Sequence, residues 1–259
     1  MLPEVRELLD LLICEFSKIK RQKFIQFSLM ASFLFPIPLT IIMAKDRMSF
    51  DQLFRANMMF GELLLLPCIL GIIASILFLM ERDNDTLKNL VTIPVSRTKI
   101  VLAKLFVITI LSVLYSVATL GATVIGGLIV GGVKGVLFRL GISIVLGILI
   151  AIATFPVVIV IIHFNKSYIF SIIVSFIYAV VSFVITMMLS SSPETVNAIA
   201  SILPIPIILK WYLPLFPIED ALAYIKPYLI TTPACFGILA LYAFVSVCLT
   251  VYIYKRKEL

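Results

Sequence analysis

Six stretches of the chain are apolar for long enough to cross a bilayer, and the polar positions between them are sparse and unevenly placed. The runs fall at about 24–44, 61–80, 105–130, 137–162, 167–189 and 233–254, each close to the roughly 20 residues that about 30 Å of hydrocarbon demands of a helix. Ahead of the first run the pattern differs. Leu2, Val5, Leu8, Leu9, Leu12, Ile13, Phe16 and Ile19 recur in steps of three and four with charges between them, which predicts an amphipathic helix over 2–20. Glu4, Glu7 and Asp10 stand early, and Lys18, Lys20, Arg21 and Lys23 late, in accord with the helix dipole. The segment 1–23 reads as an interfacial elbow with its basic end on anionic headgroups. A cytosolic helix packed on the bundle has the same pattern.

Two polar interruptions carry structure of their own. In 81–104, Asp83, Asn84 or Asp85 caps a short helix over about 86–92. Pro94 stops it, because the residue before a proline is pushed out of the helical region. Ser96 then caps the helix that enters span three. The segment 190–232 is the longest on the outer side, with Pro193, Pro204, Pro206, Pro214, Pro217 and Pro227 inside it and Pro233 at its end. Its apolar pieces, 198–203 and 205–209, are too short to span. Their apolarity excludes a solvated loop and the prolines exclude another crossing. Half-helices that re-enter the outer leaflet fit, with Trp211 and Tyr212 at headgroup depth. An outer gate or lid would draw on Trp211, Glu219 and Asp220, with Glu62 at the outer start of span two; a cap without a gating role fits as well.

Composition agrees with a membrane class. Hydrophobic residues make up 62% of the 259 and charged residues 14%, against about 45–50% and about 25% in soluble domains; the mean hydropathy is +1.17. The expected fold is a single all-α polytopic membrane domain over 1–259, with six transmembrane helices, the elbow, and re-entrant outer helices between spans five and six. With six spans, both termini share a side with 81–104, and 14 of the 21 Lys and Arg lie there. Positive charge is retained in the cytoplasm, so the termini and the 81–104 island face inward. The net charge of +7 is therefore a topology signal, and basic residues scattered among apolar spans exclude a nucleic-acid partner. The first apolar run starts only at Phe24 and is too long for the core of a cleavable signal peptide.

Little chemistry is on offer. Cys14, Cys68, Cys235 and Cys248 lack metal-ligand spacing and read as small apolar residues. His163, the only histidine, reads as a turn residue beside Asn165 and Lys166. No nucleophile–base or two-carboxylate constellation lies in the spans, so neither a catalytic nor a metal site is expected. The glycine-rich run 126–135 lacks the Gly-Lys of a phosphate loop; Gly127 and Gly131 form a GxxxG suited to close helix contact. Glu62 and Arg139, which open spans two and four near the outer face, are a candidate ion pair. Pro36, Pro38, Pro67 and Pro156 are placed to kink spans one, two and four.

The residues Glu81…Thr86-Leu87-Lys88-Asn89-Leu90…Ile93-Pro94-Val95-Ser96-Arg97…Ala103-Lys104, set between the second and third of six spans, resemble the signature of ABC-2-type transporter permeases. The likeness covers the whole chain in layout and this stretch in residues; Asp85 stands where family members often have glycine. The resemblance implies a coupling segment seated in a cleft of a separate ATP-binding subunit, with Glu81, Asp85, Thr86, Leu87, Lys88, Leu90, Pro94 and Arg97 in the contact. It implies two copies of that subunit, which binds ATP and Mg while this chain holds no cofactor. It also implies a second permease chain, identical or paralogous, among the lipids of a bacterial plasma membrane, and an outer lid of re-entrant helices. In size and in lacking fused domains, the chain looks most like permeases of bacitracin- and lantibiotic-resistance exporters. The implied function is export of an antimicrobial peptide or another amphipathic or lipid-like cargo. A path lined by Leu, Ile, Val and Phe with few fixed charges suits that cargo better than an ion. The alternatives are export of a lipid-linked glycan or an ion, an ATP-independent secondary transporter, and a membrane scaffold or sensor that recruits a partner.

Overall fold

The computed structural model describes residues 3–46, 48–83, 96–130, 132–164, 167–216 and 220–256. Each apolar run is helical: span one is Lys23–Lys45, span two Phe50–Leu79, span three Arg97–Val130, span four Val136–Phe164, span five Tyr168–Ser191 and span six Thr232–Arg256. The elbow is a helix over Pro3–Lys20, and the described residues include no strand. Serines start three of these helices. Ser49 and Gln52 form a reciprocal capping box ahead of span two. Ser96 accepts from the Lys99 N–H at 3.3 Å, as the sequence predicts, and Ser167 accepts from the Phe170 N–H at 3.1 Å.

Burial orders the bundle. In span two 72% of the most apolar stretch is buried and in spans three and four 61%, but only 28% in span five and 22% in spans one and six. Spans two, three and four are therefore the core, with the others around them. Spans three and four meet back to back at Gly147, where a Cβ would lie 2.7 Å from the Val113 Cα. The Ser112 hydroxyl donates to the Gly147 carbonyl at 2.6 Å across the same contact. The glycine run at the outer end of span three also serves close approach, through Gly126 against Thr40 and Gly127 against Phe50; Gly131 lies outside the described residues. Gly132 and Gly135, with φ of 130° and 63°, turn the chain into span four.

Prolines interrupt two of the spans, and in span one a freed carbonyl finds a partner. Span one is two helices, Lys23–Leu34 and Pro36–Lys45, joined at Phe35, whose backbone stays helical. Pro36 has no N–H for the Ser32 carbonyl one turn back, and the Thr119 hydroxyl of span three donates to that carbonyl at 3.4 Å. In span two a wide π-helical stretch, Met58–Leu65, precedes Pro67, and the Leu66 N–H closes onto the Gly61 carbonyl. Pro156 sits inside span four.

After span five the chain doubles back: Pro193–Ala200 and Pro204–Leu215 meet at 119°, each with proline in its first turn. A 3-10 helix, Asp220–Tyr228, leads on toward span six. One expectation needs correction. Trp211 and Tyr212 do not meet the headgroups; they are 5% and 2% exposed, and every residue of Pro204–Tyr212 is buried. The helix packs on spans four, five and six, so its rings face protein on all sides. The cysteines also differ from one another: Cys235 is buried, Cys68 half-buried, and Cys14 and Cys248 exposed, all as free thiols.

Candidate functional site: a buried joint and a polar core

The elbow meets the bundle through charge. Glu15 belongs to the elbow's buried stripe with Ile19, and Lys104 of span three is fully buried. The Lys104 ammonium donates to Glu15 Oε2 at 3.3 Å and to the Leu77 carbonyl at 2.6 Å, and lies 5.4 Å from the centre of the Phe78 ring. Lys18 closes on Glu15 Oε1 from the open side at 2.6 Å. One ammonium thus binds the elbow, the end of span two and the start of span three. Spans two and three here are the two that flank residues 84–95. Arg97 donates to the Lys255 carbonyl at 3.0 Å, bringing the end of span six to the same place. Leu9 and Ile13 stay exposed on the elbow. The elbow therefore packs on the bundle along one stripe and keeps an apolar face of the kind that lies in a headgroup layer.

At the opposite end, Arg139 bonds the Asp51 carboxylate and the Lys134 carbonyl. Its guanidinium carbon lies 4.7, 5.4 and 5.8 Å from the ring centres of Phe50, Phe54 and Phe216. The expected Glu62–Arg139 pair is not formed. Helix starts already at Phe50, which puts Asp51 beside Arg139 and carries Glu62 into the bundle. There Ser116 of span three donates to Glu62 Oε2 at 2.6 Å. In the bent outer pair, buried Lys210 donates to Asn197 Oδ1 and Ser201 Oγ, both at 2.7 Å, and so ties the two limbs. Trp211 Nε1 donates to Thr232 Oγ1 at 3.2 Å, and its ring meets Phe236 edge-on, which joins the pair to the start of span six.

The residues singled out by sequence scatter over these places. Asp85, Thr86, Leu87, Lys88, Leu90 and Pro94 lie outside the described residues. Glu81 is in the last turn of the span-two helix, and Arg97 is at the joint. Trp211 is in the bent pair, Asp220 begins the 3-10 helix, Glu62 is in the polar core, and Glu219 lies outside the described residues. His163 is exposed at the end of span four, edge-on to Phe164. Sequence reasoning does not single out Glu15, Asp51, Asn57 or Lys210 as site residues. Glu15 had a signal: it replaces an apolar residue in the series Leu8, Leu12, Glu15, Ile19. Among the described residues, no group of three or more His, Cys, Asp or Glu is placed to hold a metal ion.

A search of curated proteins finds no match to the chain. A family model described as "ABC-2 family transporter protein" matches residues 11–182, from within the elbow to within span five and well over half of the chain. Together with the six-span helical architecture, this match establishes that the chain belongs to the ABC-2 family of transporter proteins, as a multi-pass membrane subunit for transport.

Proposed function

We propose that the chain is the permease of an ATP-driven exporter, paired in the membrane with a second copy or a paralogue and driven by two ATP-binding subunits that hold ATP and Mg. Its family supports a transport role and an ATP-binding subunit as the usual partner. The observation that carries the reading is the Lys104 joint. Any force on the segment between spans two and three reaches both spans and the elbow through one buried ammonium. In this reading Leu87 and Leu90 enter a groove of the ATP-binding subunit, while Glu81, Asp85, Thr86, Lys88, Pro94 and Arg97 set the register. ATP shifts the permease between inward- and outward-open states through its different affinity for the two. The bent outer pair with Trp211, together with Glu219 and Asp220 beyond it and Glu62 behind it, acts as the outer gate. The excess of Lys and Arg on one side supports cytoplasmic termini in a bacterial plasma membrane. The cargo is an antimicrobial peptide of the bacitracin or lantibiotic kind, or another amphipathic or lipid-like molecule; the open apolar flanks of spans one, five and six support this class.

The test is co-purification with the ATP-binding subunit encoded beside it, comparing wild type with Leu87→Ser/Leu90→Ser. A complex that weakens in the variant, with loss of cargo-stimulated ATP hydrolysis, is the expected result. Unchanged assembly and coupling in the variant overturns the placement of the coupling segment. Failure of wild type to bind any ATP-binding subunit points to a secondary transporter, the reading that the bent outer pair favours.

A further inference from the structure

Behind the bent outer pair, the core holds a carboxylate whose polar partner among the described residues is neutral. Glu62 is buried in the π-helical stretch of span two and accepts from Ser116. At a rise of about 1.5 Å per residue, Ser116 lies about 18 Å along span three from Lys104, well inside about 30 Å of hydrocarbon. Glu62 shares a small cavity of about 10 Å³, room for one water-sized or smaller occupant, with Asn57, Thr119, Thr123 and Ser143. Asn57 is 2% exposed. Its Nδ2 donates to Thr123 Oγ1 at 2.9 Å, while its Oδ1 has no donor. Thr123 directs its own proton to the Thr119 carbonyl at 2.7 Å, and the Thr119 proton goes to Ser32. The Asn57, Thr119 and Thr123 protons are thus used within the cluster or turned away from it, and Asn57 Oδ1 is left as a buried acceptor without a donor.

Both a carboxylate at membrane depth and a buried acceptor without a donor are costly. A proton on Glu62 neutralises the charge but does not serve Asn57 Oδ1, since Ser116 and Thr123, the partners of the two side chains, lie about 10 Å apart along span three. A cation answers both at once. Arg139 is committed to Asp51, Lys134 and three rings and does not reach Glu62. One carboxylate among neutral oxygens balances a single positive charge, and oxygen ligands select hard ions.

We propose that this pocket binds a small alkali-metal cation, with Glu62 balancing its charge and Asn57 Oδ1 and the oxygens of Thr123 and Ser143 as neutral ligands. The ion joins spans two, three and four, the core of the bundle. One carboxylate makes a site and not a path, so the ion is a resident of the fold and not the exported cargo. The inference does not rest on an ATP-binding partner, and its test needs none.

The full chain is melted in nanodiscs at constant pH and ionic strength while choline is replaced by Li⁺, Na⁺, K⁺ or Rb⁺. An ion that binds only the folded state raises Tm in a saturable way. Wild type is expected to show a saturable rise for one or two of these ions over choline, lost in Glu62→Gln and weakened in Ser143→Ala. Equal stabilisation by all ions including choline overturns the proposal. So does a selective rise that persists in Glu62→Gln, or a response to pH with no selectivity among cations, which would assign the site to a proton. Should Glu62→Gln fail to melt cooperatively, Asn57→Leu decides, since it keeps the carboxylate: loss of the selective rise supports the site and its retention overturns it.

Discussion

Replacing Lys104 by methionine keeps the length and apolar stem of the side chain and removes its charge. Glu15 then stays buried with Lys18 as its remaining ionic contact, and that lysine is 33% exposed. The Leu77 carbonyl also loses its donor at 2.6 Å. Removing one member of a buried pair costs about 3–5 kcal/mol. The retained Lys18 contact, partly screened by water, offsets about 1 kcal/mol of this. A loss of about 2–4 kcal/mol is therefore expected. Lys18→Met, by contrast, removes a half-open contact worth about 0–1 kcal/mol. The double variant Glu15→Leu/Lys104→Met removes both charges of the Glu15–Lys104 pair, and apolar replacement of a whole buried pair is often neutral or stabilising. It should melt near wild type, and a double-mutant cycle should return a coupling of at least about 2–4 kcal/mol. Thermal or detergent-induced unfolding of the purified chain provides the free energies. A Lys104→Met variant within about 0.5 kcal/mol of wild type would refute the burial argument, since so small a loss is what an exposed pair gives. The double variant also separates holding from transmission. If the charge sets the register between elbow and coupling end, that variant is stable yet loses cargo-stimulated ATP hydrolysis in the complex.

Other contacts make sharper local tests. Gly147→Ala places a Cβ 2.7 Å from the Val113 Cα and should destabilise by about 1–3 kcal/mol, read as a lower melting temperature, with Gly147→Val lower still. Thr119→Val strips the Ser32 carbonyl of its donor and should cost about 1–3 kcal/mol. Adding Pro36→Ala, which restores the helical N–H one turn on, should recover part of that loss on melting. Lys210→Met unties Asn197 from Ser201. A cysteine at position 201 should then react faster with a membrane-impermeant maleimide than it does beside Lys210; equal rates would show that the lysine does not hold the bend.

Span two separates what a hydropathy pattern reads from what it misses. The apolar run 61–80 places the span, yet helix begins at Phe50. Phe50–Asn57 mixes Asp51, Gln52, Arg55 and Asn57 with four apolar residues, so a hydropathy average takes it for loop. The Ser49–Gln52 capping box marks the true start in four residues. That missed start also explains the misplaced pair, since it moves Glu62 inward and leaves Arg139 to Asp51. Trp211 and Tyr212, polar-tipped rings among prolines, read as an interfacial belt because their local sequence is that of a belt. Only the packing of spans four, five and six around them makes them core. Glu15 and Lys104 lie 89 residues apart, and each alone reads as a charge near headgroups. The elbow and the six spans need no such distant information, because each buries or exposes its face according to its own periodicity.

Span three collects the polar contacts of the bundle on one rod. Its 34 residues make about 51 Å of helix, more than the about 30 Å of hydrocarbon. In order along it, Lys104 holds Glu15 and Leu77, Tyr115 bonds Ser28, Ser116 bonds Glu62, Thr119 bonds Ser32, and Thr123 accepts from Asn57. Each partner belongs to the elbow, span one or the helix of span two. Apolar packing does little to fix helix register in a bilayer, because lipid tails are as apolar as leucine. Hydrogen bonds and close-fitting small residues fix it instead. Sliding span three by one residue would break all six contacts and orphan Lys104 and Glu62 at depth. A displacement that begins at Arg97 therefore carries the elbow and spans one and two along as a unit. It reaches the pocket around Glu62 without passing through a surface that can slip.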